Sequence, residues 1–135
     1  MESKTIEVSA GLIFRNGKLL ITQRYADSHL GGLWEFPGGK REPGETFEEC
    51  LKRELHEELG VNVRVGELIE ELSHTYPERT VFLKFFVCQL EQGEPQPIGC
   101  AAIRWVEKDG LLEREFPAAD AKLLKKLRAK IELWK

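Results

Sequence analysis

Between Gly38 and Val61 the chain reads GGKREPGETFEECLKRELHEELGV, and four glutamates, Glu45, Glu54, Glu57 and Glu58, crowd around one short helical pattern. On an ideal wheel at about 100° per residue, Phe47, Leu51, Leu55 and Leu59 form an apolar stripe that must face a core. Glu54 and Glu58 fall within about 20° of the direction of Phe47, and Glu57 about 60° further round. Three carboxylates are therefore expected on one flank, partly over the apolar face. A solvated acidic face explains Glu48 and Glu49, which meet the favourable end of the helix dipole. It does not explain Glu57 and Glu58, which lie in the last turn, where the dipole opposes them. Each like-charge pair costs roughly 0.2–0.5 kcal/mol, and partial burial adds to that. Arg53 is expected to serve one of these carboxylates, not three, whereas a divalent cation serves all of them. Several carboxylates without thiol or imidazole suit Mg²⁺ or Mn²⁺ rather than zinc. His56 does not open a His-Glu-x-x-His zinc pattern, because residue 60 is Gly. Gly38 and Gly39 let backbone approach a ligand closely, and a free carbonyl there completes an oxygen shell.

The elements that must position these groups are legible around them. Residues 5–14 read as a strand, Asn16-Gly17 as a hairpin turn, and residues 18–24 as the partner strand. Residues 37–45, with two prolines and three glycines, read as loop. Thr46 and Glu49 form a capping-box pattern, so the helix is expected to start at Thr46 and to end at Gly60. Residues 62–76 read as a strand bent near Gly66, residues 79–90 as the clearest strand, and residues 101–107 as the last. Leu123, Leu124, Leu127 and Ile131 follow helical spacing, with lysines at 122, 125, 126 and 130 as a solvated basic face. The order predicts a mixed sheet with helices packed on it, an α/β fold.

With 135 residues the chain has room for one domain and little more. A net charge of −3 speaks against a duplex nucleic-acid binder. No apolar run reaches the roughly 20 residues of a membrane span, and the first residues do not form a signal peptide. Cys50, Cys88 and Cys100 match neither a disulfide framework nor a zinc spacing. They read as reduced, buried thiols of a cytoplasmic protein.

The acidic stretch resembles the Nudix box, G-x5-E-x7-R-E-U-x-E-E-x-G-U with U a bulky aliphatic. Gly39, Glu45, Arg53, Glu54, Leu55, Glu57, Glu58, Gly60 and Val61 fill its positions without a mismatch. The segments ITQRYADSHLGGLWEFPGGK, TYPERTVFLKFFV and FPAADAKLLKKL extend the likeness to MutT-type Nudix hydrolases over nearly the whole chain. The resemblance implies a single Nudix domain over residues 1–135, an α/β/α sandwich around a mixed sheet. It implies hydrolysis of a nucleoside triphosphate to the monophosphate and pyrophosphate with Mg²⁺ or Mn²⁺. By the same likeness Gly38 gives a carbonyl to the metal, Glu54 is the base toward water, and Glu57 and Glu58 are metal ligands. Arg53 orients the glutamates, Glu45 supports the loop, and Lys40 contacts phosphate.

The likeness also implies a nucleotide pocket made by Arg24, His29, Glu35, Phe36 and Asp120, with Tyr76 and Arg79 lining the cleft. Two departures matter. The MutT pattern has Asn where this chain has Asp120. An amide both donates and accepts, whereas an ionised Asp only accepts, unless an apolar pocket keeps it protonated. Relatives acting on CTP also carry Pro-Ala-Asp here, so an oxidised guanine nucleotide such as 8-oxo-dGTP and a cytidine-type nucleotide (CTP, dCTP or 5-methyl-dCTP) both stay open. The second departure is Gly99, where MutT-type enzymes often place a catalytic or metal-binding Glu; Glu94 is near but shifted. A non-catalytic module for damaged-base recognition is the remote alternative, disfavoured because every box residue is kept. No protein partner is implied, and monomer or homodimer both remain open.

Overall fold

The structure, a computed structural model, describes residues 5–135. The expectation that the first residues form no signal peptide falls partly on residues 1–4, outside the described part. The chain runs β1 (Thr5–Arg15), β2 (Lys18–Gln23), β3 (Trp34–Glu35), β4 (Gly38–Lys40), α1 (Phe47–Leu59), β5 (Asn62–Tyr76), β6 (Arg79–Gln92), β7 (Ala102–Val106) and α2 (Ala118–Ala129). Short 3-10 turns cover Lys108–Glu113 and Ile131–Trp134. Asn16 and Gly17 both have positive φ, 52° and 76°. This is the geometry that the right-handed twist of a tight hairpin requires.

The sheet is mixed, in the order β3-β2-β1-β6-β5, with β4 added to β1 and β7 to β2. Strands β1 and β6 are parallel and the other pairs antiparallel. Alternation along β1 sends Ala10 and Leu12 to one face and Gly11 and Ile13 to the other. On one face α1 packs Leu51, Leu55 and Leu59 against Ile13, Leu20, Val63, Phe86 and Cys88. On the other α2 packs Leu123 and Leu127 with Trp134 against Leu12, Leu19, Ile21 and Phe85. The expected sandwich of helices on both faces is what forms.

Helix α1 begins and ends where its local code places it. Thr46 accepts from the Glu49 N–H at 3.0 Å while Glu49 accepts from the Thr46 N–H at 2.8 Å. Gly60 closes the helix at φ 72°. Strand β5 is irregular between Val65 and Glu70, with register shifts on both sides of Leu68, which is the bend expected near Gly66. The three cysteines are free and buried.

Three expectations are corrected. Residues 38–40 are strand, not loop, because Gly38 and Gly39 dock on β1 in antiparallel register. The lysine face of α2 is not simply solvated. Lys122 and Lys126 donate to the carbonyls of Ser73 and Ile69, both at 3.1 Å, covering part of the open edge of β5. Ile131 lies beyond α2 in the final 3-10 turn and is exposed; Trp134 is the buried apolar residue there. Among the described residues no helix is long and apolar enough to cross a membrane.

Candidate active site

Strand β1 changes neighbours along one edge. Residues Val8–Ala10 pair with β4, whereas Phe14 and Arg15 pair with β2. The sheet opens between these two partners, and the link from β3 to β4 crosses the opening. On the β4 side the ladder puts Ser9 opposite Gly39, flanked by hydrogen bonds from Gly11 to Pro37 and from Arg41 to Glu7, at 2.7 and 2.8 Å. Antiparallel pairs alternate between bonded and non-bonded, so the carbonyls of Gly38 and Lys40 turn away from β1. That of Lys40 meets Arg53 at 3.1 Å. The Gly38 carbonyl lies on the same edge. A Cβ on Gly38 would stand 1.9 Å from the Ser9 carbonyl oxygen. A Cβ on Gly39 would stand 2.2 Å from the Glu54 carboxyl carbon. Glycine is needed at both positions for close approach.

Arg53 does more than expected. Its Nε and Nη2 bind Glu45 at 3.1 and 2.7 Å. Its Nη1 binds Glu54 at 2.9 Å and Glu57 at 3.1 Å, and Nη2 also reaches the Lys40 carbonyl. All the donors of the guanidinium are thus engaged; of Glu54, Glu57 and Glu58 it serves two rather than one, and it serves Glu45 besides. The reason is that Glu45 comes from the preceding loop, on the opposite side of the fork from the helix. The double bond from Arg53, with the Glu42 N–H, holds the Glu45 carboxyl down at about 2.

Convergence of Glu54, Glu57 and Glu58 is also corrected. Glu57 turns to Arg53 and solvent, its side chain 57% exposed. Glu58 turns inward toward buried Thr22, whose hydroxyl donates to the Glu35 carbonyl at 3.5 Å. Burial, and next the negative charges of Glu35 and Glu54, push its carboxyl up to about 8. Glu54 is raised by burial, with Arg53 opposing. Among the described residues Glu58 has no ion-pair partner, and no three Asp, Glu, His or Cys side chains already enclose a metal-sized point. The donor set still fits a hard dication: two inward carboxylates, one of them half-buried without a cation, and a main-chain carbonyl on the adjoining edge.

A cavity of about 240 Å³ opens on the other side of β4. Its walls are apolar, from Ile6, Val8, Val81 and Leu83, and Arg24, His29, Lys40, Tyr76, Arg79 and Asp120 face into it. These are six of the eight residues expected at a nucleotide pocket. Glu35 is not on the wall. It is half-buried and holds Arg24 through two contacts to Nη1 at 2.9 and 3.1 Å. Burial raises its carboxyl, and Arg24 opposes this. Phe36 is not on the wall either. Its ring is 3% exposed and packs on Phe85 and Phe116, so the side chain is core. It reaches the site through its main chain, whose N–H faces the Asp120 carboxyl and opposes the rise of that group.

Arg24 also donates from Nε to the carbonyl of His29 at 2.7 Å, which fixes the 25–33 loop at the cavity mouth. Tyr76 accepts the Ala119 N–H at 3.2 Å, capping α2 from outside. Asp120, in the first turn of α2, is 6% exposed. A helix N-terminus favours an anion by about 0.3–2 kcal/mol. Full burial with Glu35 nearby outweighs that and pushes the carboxyl up to about 8. Gly99 carries no acid to the site, and Glu94 is bound to Arg15 at 2.8 Å on the surface, which holds its carboxyl low. Thr22 was not expected. The signal for it is one hydroxyl residue at the end of an otherwise apolar strand run, LLIT.

A family model described as NUDIX domain matches residues 9–126. The 8-oxo-dGTP diphosphatase of Escherichia coli (strain K12) is 36% identical over 126 residues, covering 93% of this chain and 98% of that protein. The CTP pyrophosphohydrolase of the same organism is 38% identical over 126 residues, covering 93% of each. Among solved structures, the solution structure of the E. coli ORF135 protein superposes with a TM-score of 0.81 at 37% identity, covering 94% of this chain and 91% of that one.

Proposed function

Because this chain belongs to the NUDIX domain family, we propose that it hydrolyses nucleoside triphosphates to the monophosphate and pyrophosphate, with an oxidised purine nucleotide such as 8-oxo-dGTP as preferred substrate. The observation that carries this reading is Gly39. It lines the cavity, and the Glu54 carboxyl rests against its Cα. A base held in the cavity therefore directs its phosphates past Gly39 to the acidic flank of α1.

Glu54, Glu58 and the Gly38 carbonyl are the groups that would hold Mg²⁺ or Mn²⁺, and Glu57, which lies against Arg53, would turn from it to join them. The chemistry a bound dication supplies there is neutralisation of phosphate charge and acidification of a water. Lys40 and Arg79, at the cavity wall, contact the phosphates. Glu54 takes the proton of the attacking water on a carboxylate oxygen, and Arg53 keeps that carboxylate in place through Nη1. Arg53 in turn is anchored on Glu45, so the orientation is set from the loop. Apolar walls exclude water from the base. The unit acts as a single Nudix domain in the cytoplasm.

Asp120 decides the base. When protonated it carries an O–H donor and a C=O acceptor side by side, the pattern of an amide. That pair complements a purine edge presenting a carbonyl beside an N–H; 8-oxoguanine offers one at O6 and N7–H that guanine lacks, besides the O6 and N1–H edge both share, so the reading requires the N7 edge to face Asp120. A second reading, a CTP-type pyrophosphohydrolase, is favoured by the 38% identical relative of that name and by an ionised Asp120, which would accept from a cytosine amino group. The test is a nucleotide panel with Mg²⁺, scored by kcat/KM and by product. We expect 8-oxo-dGTP to exceed dGTP, dCTP and 5-methyl-dCTP, with pyrophosphate released. A higher kcat/KM for either cytosine nucleotide overturns the preferred substrate.

A further inference from the structure

The last turn of α1, which carries Glu58, is held from outside by a segment that the mechanism above does not use. The last carbonyls of a helix lack intrahelical partners. Here the main-chain N–H groups of Ile98 and Gly99 both donate to the Glu58 carbonyl, at 3.1 and 2.9 Å, and that of Gln96 donates to the Leu59 carbonyl at 2.9 Å. Gly99 then lies directly on Glu58. A Cβ there would stand 3.2 Å from the Glu58 Cα, 3.5 Å from its Cγ and 3.6 Å from its Cβ. Gly99 is not one of the positive-φ glycines, so its bare Cα serves this contact and not a turn. Gln96, Ile98 and Gly99 are themselves exposed, so the segment is a strap over the helix end rather than part of the core.

We infer that Ile98 and Gly99 are a positioning element for Glu58, acting through their main-chain donors and through the close approach to the Glu58 Cα that the bare Cα of Gly99 allows. The loop contributes backbone where the MutT-type pattern contributes a carboxylate. The two donors to the Glu58 carbonyl fix the height of the last turn, and the missing Cβ lets the strap sit directly on the Glu58 Cα, whereas the Gln96 donor holds only the Leu59 carbonyl. A methyl group at residue 99 meets the Glu58 Cα, so the strap and the last turn must part by a few tenths of an ångström. That shift moves the Glu58 carboxylate while leaving the cavity on the far side of β4 untouched. The inference rests on the reading of Glu58 as a ligand of a dication.

The experiment measures Mn²⁺ binding by electron paramagnetic resonance, in the absence of nucleotide, for the full chain and for Gly99→Ala and Gln96→Pro. Groups that orient a metal ligand typically carry about tenfold or more in metal affinity, and we expect the Gly99→Ala Kd to rise by about that factor. Its kcat should fall while the nucleotide KM stays unchanged. Gln96→Pro deletes only the donor to Leu59; it should lower Tm and leave Mn²⁺ affinity as it was. Wild-type Mn²⁺ affinity in Gly99→Ala overturns the strap alone. So does a loss of affinity in both variants that merely follows their loss of stability. A wild-type chain that binds no Mn²⁺ removes the reading of Glu58 as well.

Discussion

Helix α1 carries Glu54, Glu57 and Glu58 along the edge of its apolar stripe, where one guanidinium binds two of them and leaves the third without a cation. Helix α2 carries a single acid, Asp120, inside its apolar face, where an N–H and a neighbouring negative charge surround it. Both arrangements raise a carboxyl, yet they do so for opposite ends. The acids of α1 sit at the open margin of the sheet, close enough to solvent and phosphate for a cation to enter, so their repulsion is released on binding. Asp120 sits where burial and Glu35 outweigh the Arg24 charge, so its repulsion is released by keeping the proton. One helix is built to become charged in company; the other is built to stay neutral and to read hydrogen bonds.

The largest expected effect separates the two. Glu54→Gln or Glu58→Gln should lower turnover by about 10²–10⁴, with Tm and affinity for the monophosphate product close to wild type. Exhaustive chelation of the wild type should do the same. Full activity after chelation, or a Glu54→Gln enzyme near wild type, would break the division by placing the base or the charge elsewhere. Asp120→Asn is the converse. Losing or gaining a matched hydrogen bond in a closed pocket is worth about 1–3 kcal/mol, or roughly 10–200-fold in discrimination. In the wild type the preference for 8-oxo-dGTP over dCTP should decline as pH rises through about 8, where Asp120 loses its proton. In Asp120→Asn the preference should not change with pH, and Mn²⁺ affinity should not change at all. A pH-independent wild-type preference would remove Asp120 from base reading.

How far this division could be read from the chain differs between its two halves. The acids, stripe, cap and stop of α1 are local, separated by three, four or seven residues, so the wheel exposes them and the crowding is visible without coordinates. The generosity of Arg53 was not visible, because Glu45 approaches it from the loop and only the folded fork shows three carboxylates around one group. Strand β4 was hidden by its glycines, which read as loop until β1 is placed beside them. The cavity was not legible from spacing in any sense. Val8, Arg24, Lys40, Tyr76, Val81 and Asp120 come from separate elements, and only resemblance pointed to the polar ones. Resemblance also pointed to Phe36, whose ring is core and whose main chain alone faces Asp120.

A smaller effect concerns stability. The Asp120 carboxyl lies near 3.8 in the unfolded chain and at about 8 in the folded one. Between these values the folded state binds more protons than the unfolded state, so stability falls as pH rises across that window. The contribution is whole below about pH 4 and gone above about pH 8. Glu58 adds a term of the same sign in the metal-free protein. Metal-free Tm should therefore decline from pH 5 to pH 8 by more than in Asp120→Asn, whose curve keeps the parts of Glu58, Glu54 and Glu35. A steeper decline in the variant would mean that Asp120 is ionised in the fold.

The smallest effect lies at the helix starts, and it sharpens the contrast most finely. Helix α1 is capped by its own neighbours, through the reciprocal bonds of Thr46 and Glu49. Helix α2 has no side-chain cap at its own N-cap residue, and the Ala119 N–H is met by the Tyr76 hydroxyl from β5. Removing either cap costs about 1 kcal/mol. In Thr46→Ala that loss should appear in Tm alone, because Arg53, Gly39 and the 96–99 segment still hold the functional end of α1. In Tyr76→Phe the same loss falls on the first turn of α2, one residue from Asp120 and in the wall of the cavity. Nucleotide KM should rise there with kcat nearly unchanged. Equal kinetic effects in the two variants would show that α2 is no more dependent on the sheet for its placement than α1, and that the neutral acid is not held by the strand that caps its helix.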